Sequence, residues 1–562
     1  MPAPSPSTGA LEDHACEPYL SSLHVRSPPS IPPYMSEQKQ LFGRKLHADL
    51  EIEDELWEAA VNLRGNIAPA DYKHYVLPLL FLRYLSLRYE QRYEELKTQI
   101  KDPDSPYYTT DEAIQKDILS DPDEYKRMGA FIIPEEARWS YLRDQAQADD
   151  IKLKVDRAME LLEQTYPELQ GVLPKIYAGS NLSRENVSQL INLFSRKIFS
   201  GVEDGGADML GRVYEYFITN FASTEGNRGG EFFTPRTMVQ LLVAMLAPKE
   251  GTVFDPACGS GGMFVQAAEF TTNGSTLSFY GQESIDTTLR LCKMNLLMHG
   301  LQGNIKLGDS LLNDRHPELK ADYVIANPPF NVSSWGAGKV SKNDPRLHVG
   351  SARCTPTDSN ANYMWMMHFL HHTAEGGTAG YVMSNGSMTT STGIEEDCRK
   401  ALLEEGFVDC IVQLPAKLFF GTGIPACLWF LSKNRDGSAG FRERADEVLF
   451  IDARDMGEMV TRTQRVLSEE EIQTIASHYH TFRAPEETVT DEAGFCAVAS
   501  LDEIRGNGYK LTPGLYVGFA EDDEDRVPFD VKMPQLIDEL ENQFAEANRL
   551  QDEIERSLRD VL

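Results

Sequence analysis

Past residue 206 the hydrophobic pattern of this chain changes period. Short β-rich runs alternate with helix-length segments: Thr252–Phe254, Leu277–Gly281, Asn304–Leu307, Tyr323–Ala326, Ala379–Met383, Val408–Leu414 and Ala426–Leu431. Strands separated by helical segments indicate parallel pairing through crossovers. The pattern therefore predicts an α/β fold with a doubly wound, mostly parallel sheet. The last two runs are joined by a short Gly/Pro loop and read as an antiparallel hairpin at one edge.

Before the switch the spacing is helical. The run Leu56-Trp57-Glu58-Ala59-Ala60-Val61-Asn62-Leu63 has 3.6-residue periodicity, and Tyr72 to Leu85 reads as a second, more buried helix. The stretch from Tyr107 to Arg143 reads as loops and short helices. Residues 201–206, Gly-Val-Glu-Asp-Gly-Gly, form a linker. Eight of the 30 prolines precede Tyr34, in a segment with too few large apolar side chains to fold. Met35 opens ordinary sequence and is read as an alternative start. At the other end, Ile537, Leu540, Phe544, Ala547, Gln551, Ile554, Leu558 and Val561 alternate by three and four, a heptad seam behind the acidic run 520–525. The expected organisation is a disordered extension over 1–40, a helical N-terminal domain over 41–200, the α/β domain over 207–520, and an acidic linker with a C-terminal helical tail over 521–562.

Lys and Arg number 54 against 86 Asp and Glu, a net charge of −32, which excludes gripping nucleic acid by bulk charge alone. No apolar run reaches the ~18 residues of a membrane span. The nearest, Tyr75 to Leu85, contains Pro78 and Arg83. The eight cysteines form no CxxC pair, and the start lacks a secretory pattern, so reduced thiols and a cytoplasmic location are expected.

Two segments carry chemistry. In Phe254-Asp255-Pro256-Ala257-Cys258-Gly259-Ser260-Gly261-Gly262 a strand ends at an acid and a glycine turn opens a helix. Glycines let a ligand approach the backbone. The acid, with no following Lys, favours a ligand with a cationic part over a polyphosphate. The methionine amino group of S-adenosylmethionine fits. Glu283 and Asp309 end the second and third strands, where a carboxylate can take ribose hydroxyls or the adenine amino group. Each alone reads as a helix cap or a surface acid, whereas together at successive strand ends they favour a bound ligand.

The second segment is Asn327-Pro328-Pro329-Phe330, directly after the fourth strand. Two prolines fix the backbone and leave carbonyls outside the ladder. Asn327 Oδ1 and the Pro328 carbonyl can then accept from one exocyclic NH2, and Phe330 offers a face to a planar base. The His368, His371, His372 group reads as packing and surface, and no metal is assigned.

These segments, with Gly230-Glu231-Phe232-Phe233-Thr234-Pro235-Arg236, the helical part around Leu56-Trp57 and Tyr72–Leu82, and Leu511-Thr512-Pro513-Gly514, resemble the modification (M) subunits of type I restriction–modification systems over about 50–520. The resemblance implies a Rossmann-like class I methyltransferase acting on adenine N6 in double-stranded DNA. It implies cofactor contacts at Glu231, Phe232, Phe233, Thr234, Pro235, Arg236, Asp255, Gly259, Ser260, Gly261, Gly262, Glu283 and Asp309. It places Asn327, Pro328, Pro329 and Phe330 on the target adenine. The base must leave the duplex to be reached. Thr234 is expected as a helix N-cap with Pro235 at the first helical position. The resemblance also implies a specificity subunit that reads sequence, a second M subunit and a restriction subunit, with the C-terminal helix as the docking element. Two other classes fit the residues: a methyltransferase for a protein glutamine amide or an RNA base, and a catalytically silent scaffold.

Overall fold

The computed structural model describes residues 53–65, 67–196, 206–225, 234–271, 276–419, 423–437, 440–485, 489–519 and 529–561. The extension 1–40 with Met35, linker residues 201–205, Glu231–Phe233 and the acidic run 520–525 lie outside the described residues. The chain divides into two compact units, Met1–Leu56 and Trp57–Leu562. Only 53–56 of the first are described, and they are helical.

In the second unit, the long helix Pro69–Gln99 starts with proline at its first turn and carries Pro78 inside. It outruns the apolar run that predicted it, because its second half is amphipathic: Leu96 is buried while Lys97 and Glu94 pair outside. The helix packs on Gly206–Glu225, with Tyr72 and Trp57 set against Phe221 at ring-centroid distances of 6.1 and 4.6 Å. Tyr84 Oη donates to the Met298 carbonyl at 2.8 Å and so ties this helical layer to the α/β layer.

The α/β layer is one nine-stranded sheet. Its strands are β1 (Gly251–Asp255), β2 (Leu277–Glu283), β3 (Gly303–Leu307), β4 (Ala321–Ala326), β5 (Thr373–Ser384), β6 (Val408–Gln413), β7 (Ala426–Ser432), β8 (Glu447–Asp452) and β9 (Cys496–Ser500). The order across the sheet is β9-β8-β6-β7-β5-β4-β1-β2-β3. Strands β3 through β5 are parallel, as is the β6–β8 pair. Strand β7 runs antiparallel between β5 and β6, and β9 is antiparallel to β8. The doubly wound, mostly parallel sheet expected from the sequence is present.

The β6–β7 hairpin is also present, but it is not at an edge. Every residue of both strands is buried, and the sheet continues past them through β8 and β9. Asp409 on β6 anchors this half, fully buried between Arg444 Nε at 2.8 Å and Arg435 Nε at 3.2 Å. Ser432 Oγ on β7 and Tyr479 Oη on helix Glu469–Arg483 donate to the same carboxylate at 2.7 and 2.8 Å. Burial alone would raise this carboxyl. Arg444, Arg435 and Arg483 outweigh it and hold the group below the usual carboxylate range.

The chain ends in the helix Phe529–Val561. Leu536, Ile537, Leu540, Phe544 and Leu550 on it are all exposed. The seam residues Ile554, Leu558 and Val561 have side chains outside the described set. No helix among the described residues is long and apolar enough to cross a membrane.

Candidate active site

The carboxyl ends of β1, β2, β3 and β4 converge, as they must where the strand order reverses about β1. Strand β1 ends at Asp255, whose Oδ1 accepts from the Ala257 N–H at 2.9 Å. This carboxyl is only 2% exposed, and its burial pushes it up to about 8. The turn that follows needs glycine for two reasons. Gly259 and Gly261 have φ of +54° and +80°, and a Cβ at Gly261 would stand 2.9 Å from Cys292 Sγ. Gly261 then leads into the helix Gly262–Phe270.

Glu283, the last residue of β2, closes over this turn. Its carboxylate accepts from the Gly259 N–H at 3.0 Å and from the Ile285 N–H at 2.9 Å. The Ser260 carbonyl accepts from Asn295 Nδ2 at 3.0 Å. Asp309, past β3, uses Oδ1 as a turn cap for the Leu311 and Leu312 N–H groups at 2.9 and 3.1 Å. Asp255, Gly259, Ser260, Gly261, Gly262 and Glu283 are thus brought into one turn by hydrogen bonds between strand ends.

Asn327 follows β4 directly. Its Nδ2 donates to Thr234 Oγ1 at 2.8 Å, a contact that reaches back before β1. The expected role of Thr234 as N-cap is corrected here. The helix is Arg236–Leu246, its N-cap is Pro235, and no side chain caps it. The Thr234 hydroxyl faces the asparagine amide instead. Phe330 is buried, with its ring 6.2 Å from that of Phe419 at 63°. Phe419 comes from the end of the hairpin β6–β7, and the sequence reading missed it. The signal was there in the aromatic pair Phe419-Phe420 at the turn, but an aromatic in a loop reads as core without its partner in view.

One residue further, Asn331 pairs with Asn362 and Ser384, and a polar cavity of about 530 Å³ opens beside it. His368 and His372 lie under β1, packed against Phe254 at 6.2 and 4.8 Å. His372 Nε2 is 3.0 Å from Asp314 Oδ2, and Asp314, His368 and His372 offer ligand atoms within 4.8 Å of one another. Arg346 Nη1 donates to His368 Nδ1 at 3.1 Å, which fixes a positive charge beside any cation in that cluster.

A glycine turn and an Asn-Pro-Pro-Phe loop at adjacent strand ends of such a sheet form a site suited to a methyltransferase for a planar amino group. Comparison with known proteins makes this specific. The family model for N-6 DNA methylases matches residues 205–525, and that for the HsdM N-terminal domain matches 52–194. The MjaIX type I restriction enzyme methylase subunit of Methanocaldococcus jannaschii is 42% identical over 516 residues, 90% of this chain and 91% of that one. The HindI methylase subunit of Haemophilus influenzae is 38% identical over 451 residues, covering 76% and 99%. The crystal structure of a type I restriction–modification methyltransferase subunit from Streptococcus thermophilus superposes with a TM-score of 0.69 at 25% identity, over 83% of this chain and 99% of that one. The chain belongs to the methylase subunits of type I restriction enzymes.

Proposed function

We propose that this chain transfers a methyl group from S-adenosylmethionine to N6 of an adenine in DNA, inside a complex whose specificity subunit supplies the target sequence. The observation that carries the reading is the placement of Asn327 and Phe330 beside the glycine turn, with Asn327 Nδ2 committed to Thr234. That commitment orients the amide so that Oδ1 is the end presented to an incoming amino group.

The residues at the turn fit the cofactor. Positions where a Cβ would stand on Gly259 and Gly262 have no atom within 4 Å, so the turn is open to close approach. Asp255 is a buried carboxyl suited to a cationic amino group, and Glu283 retains acceptor capacity for ribose hydroxyls beyond its backbone bonds. When bound, S-adenosylmethionine supplies a sulfonium-activated methyl group. The resemblance also assigns Glu231–Arg236 to its contacts.

The adenine leaves the stack and lies against Phe330, with Phe419 behind that ring. Asn327 Oδ1 and the Pro328 carbonyl accept from its amino group, which draws the nitrogen lone pair out of the ring. The bound cofactor would supply the methyl with its sulfur as leaving group, and Asn327, Pro328 and Phe330 would hold the amino nitrogen in line with it, so alignment supplies much of the rate. The proton lost from nitrogen is acidic after alkylation and passes to solvent. Positioning, more than acid–base chemistry, is the work of the site.

The exposed apolar stripe on Phe529–Val561 would dock the specificity subunit, with a second methylase subunit and a restriction subunit completing the assembly. The division into a helical part over 41–200, a transferase part over 207–520 and a partner-binding tail follows the same reading. Labelled methyl transfer to plasmid DNA, with and without the specificity subunit, is the test. N6-methyladenine formed only by the complex is expected. Label on protein or RNA alone would replace this reading with the glutamine or RNA one, and no transfer at all would leave the scaffold.

A further inference from the structure

The backbone turns sharply as it leaves Phe330. Asn331 sits at φ +61°, in the left-handed region that asparagine tolerates better than most residues. Its N–H donates to Asn362 Oδ1 at 2.7 Å, and Asn362 Nδ2 donates back to Asn331 Oδ1 at 3.0 Å. Ser384 Oγ donates to the same Oδ1 at 3.0 Å. Asn362 is 2% exposed and Ser384 5%. They are the first residue of helix Asn362–His372 and the last of β5, so the pair is mounted on rigid elements.

Asn331 itself is exposed. The cavity of about 530 Å³ beside it is walled by Asn331, Asn362 and the stretch Thr389–Thr392. Close packing therefore does not hold this corner on its outer side, and the hydrogen bonds must. A reciprocal two-bond pair between asparagines is directional in a way that apolar packing is not.

We propose that Asn362, acting through Asn331, is a positioning residue for methyl transfer. It fixes the exit of the Asn327–Phe330 loop, and with it the direction in which Asn327 and Pro328 accept from the target amino group. The inference rests on the function proposed above and names a residue outside the loop itself.

The test uses the full chain assembled with its specificity subunit. Asn362→Ala is expected to slow single-turnover transfer by about 10- to 100-fold, the scale of a small misalignment of reacting groups. Cofactor Kd and DNA KM should each stay within about threefold, because neither ligand is held by this side chain. The double variant N331G/N362A should be no more than about threefold slower than N362A, since both changes remove one interaction. Ser384→Ala, which removes the Oγ bonds to Asn331 Oδ1 and from Asn362 Nδ2 but leaves the asparagine pair, carries the same test with a smaller drop if Asn362→Ala does not fold. A reduced burst amplitude at an unchanged rate would show only a lower folded fraction and overturn the proposal, as would additive effects in the cycle. A wild-type complex that methylates while Asn362→Ala matches it overturns this inference alone. A wild-type complex that methylates nothing overturns the function beneath it.

Discussion

At the residue scale the two groups to test first are Asp255 and Thr234. Burial pushes the Asp255 carboxyl up to about 8, against an ordinary value of 3.8. Between these values the cofactor-free protein holds a proton that the unfolded chain releases. Its stability should therefore fall as pH rises from about 4 towards 8, and the cofactor's cationic amino group should favour the ionised form. We expect cofactor affinity to rise between about pH 6 and 7.5, by up to about tenfold per unit, with one proton released on binding. Calorimetry in two buffers of different ionisation enthalpy measures this, and Asp255→Asn should flatten the dependence. Thr234→Val keeps the side-chain shape but removes the acceptor of the Asn327 amide. At saturating cofactor it should slow transfer by about tenfold or more, a larger loss than any in cofactor affinity, and Thr234→Ser should restore it. Asn327→Ala should abolish transfer with cofactor affinity held within about a few-fold. If calorimetry shows either variant losing cofactor as severely as activity, the assigned division of labour is wrong. The residues of the turn and the loop were legible in the sequence because their glycines and prolines are backbone requirements. Phe419, Asn362 and the true partner of Thr234 were not, since each acts through a contact far along the chain.

At the element scale, the strands of the parallel half were legible from their period, and the hairpin β6–β7 from its turn. Its place in the sheet was not. An antiparallel pair can sit anywhere that both faces are covered, and β9, Cys-Ala-Val-Ala-Ser, is too small and short to announce the continuation. What holds the inserted hairpin is the Asp409 cluster. Asp409→Asn leaves Arg444 buried without its counter-charge, and we expect a loss of about 3–5 kcal/mol, read as a lower denaturant midpoint. An unchanged midpoint would mean that the arginines are satisfied by carbonyls alone. The tail makes the opposite prediction. Ile537, Leu540 and Phe544 are exposed, so deleting 535–562 should leave a folded, cofactor-binding chain. Burying such side chains on a partner is worth about 1.5–3 kcal/mol each before association costs. The truncated chain should therefore fail to co-elute with the specificity subunit on size exclusion.

At the scale of the whole molecule, a net charge of −32 sets how DNA is met. The isolated chain should bind duplex DNA weakly, and the assembled complex should show the steep salt dependence of many phosphate contacts. Equal affinity and equal salt slope for the two would place the DNA footprint on this chain after all. The order of the strands also has a consequence in time. The cofactor turn and the Asn-Pro-Pro-Phe loop lie between residues 234 and 331, whereas Phe419 stands just before β7, which must thread between β5 and β6. At about 5–20 residues per second of synthesis, a growing chain carries its methyl-donor cradle for several seconds before the aromatic wall behind the base can exist. On the proposed function, the protein would be a cofactor binder first during translation, and its target-base pocket would be complete only when β7 closes the sheet.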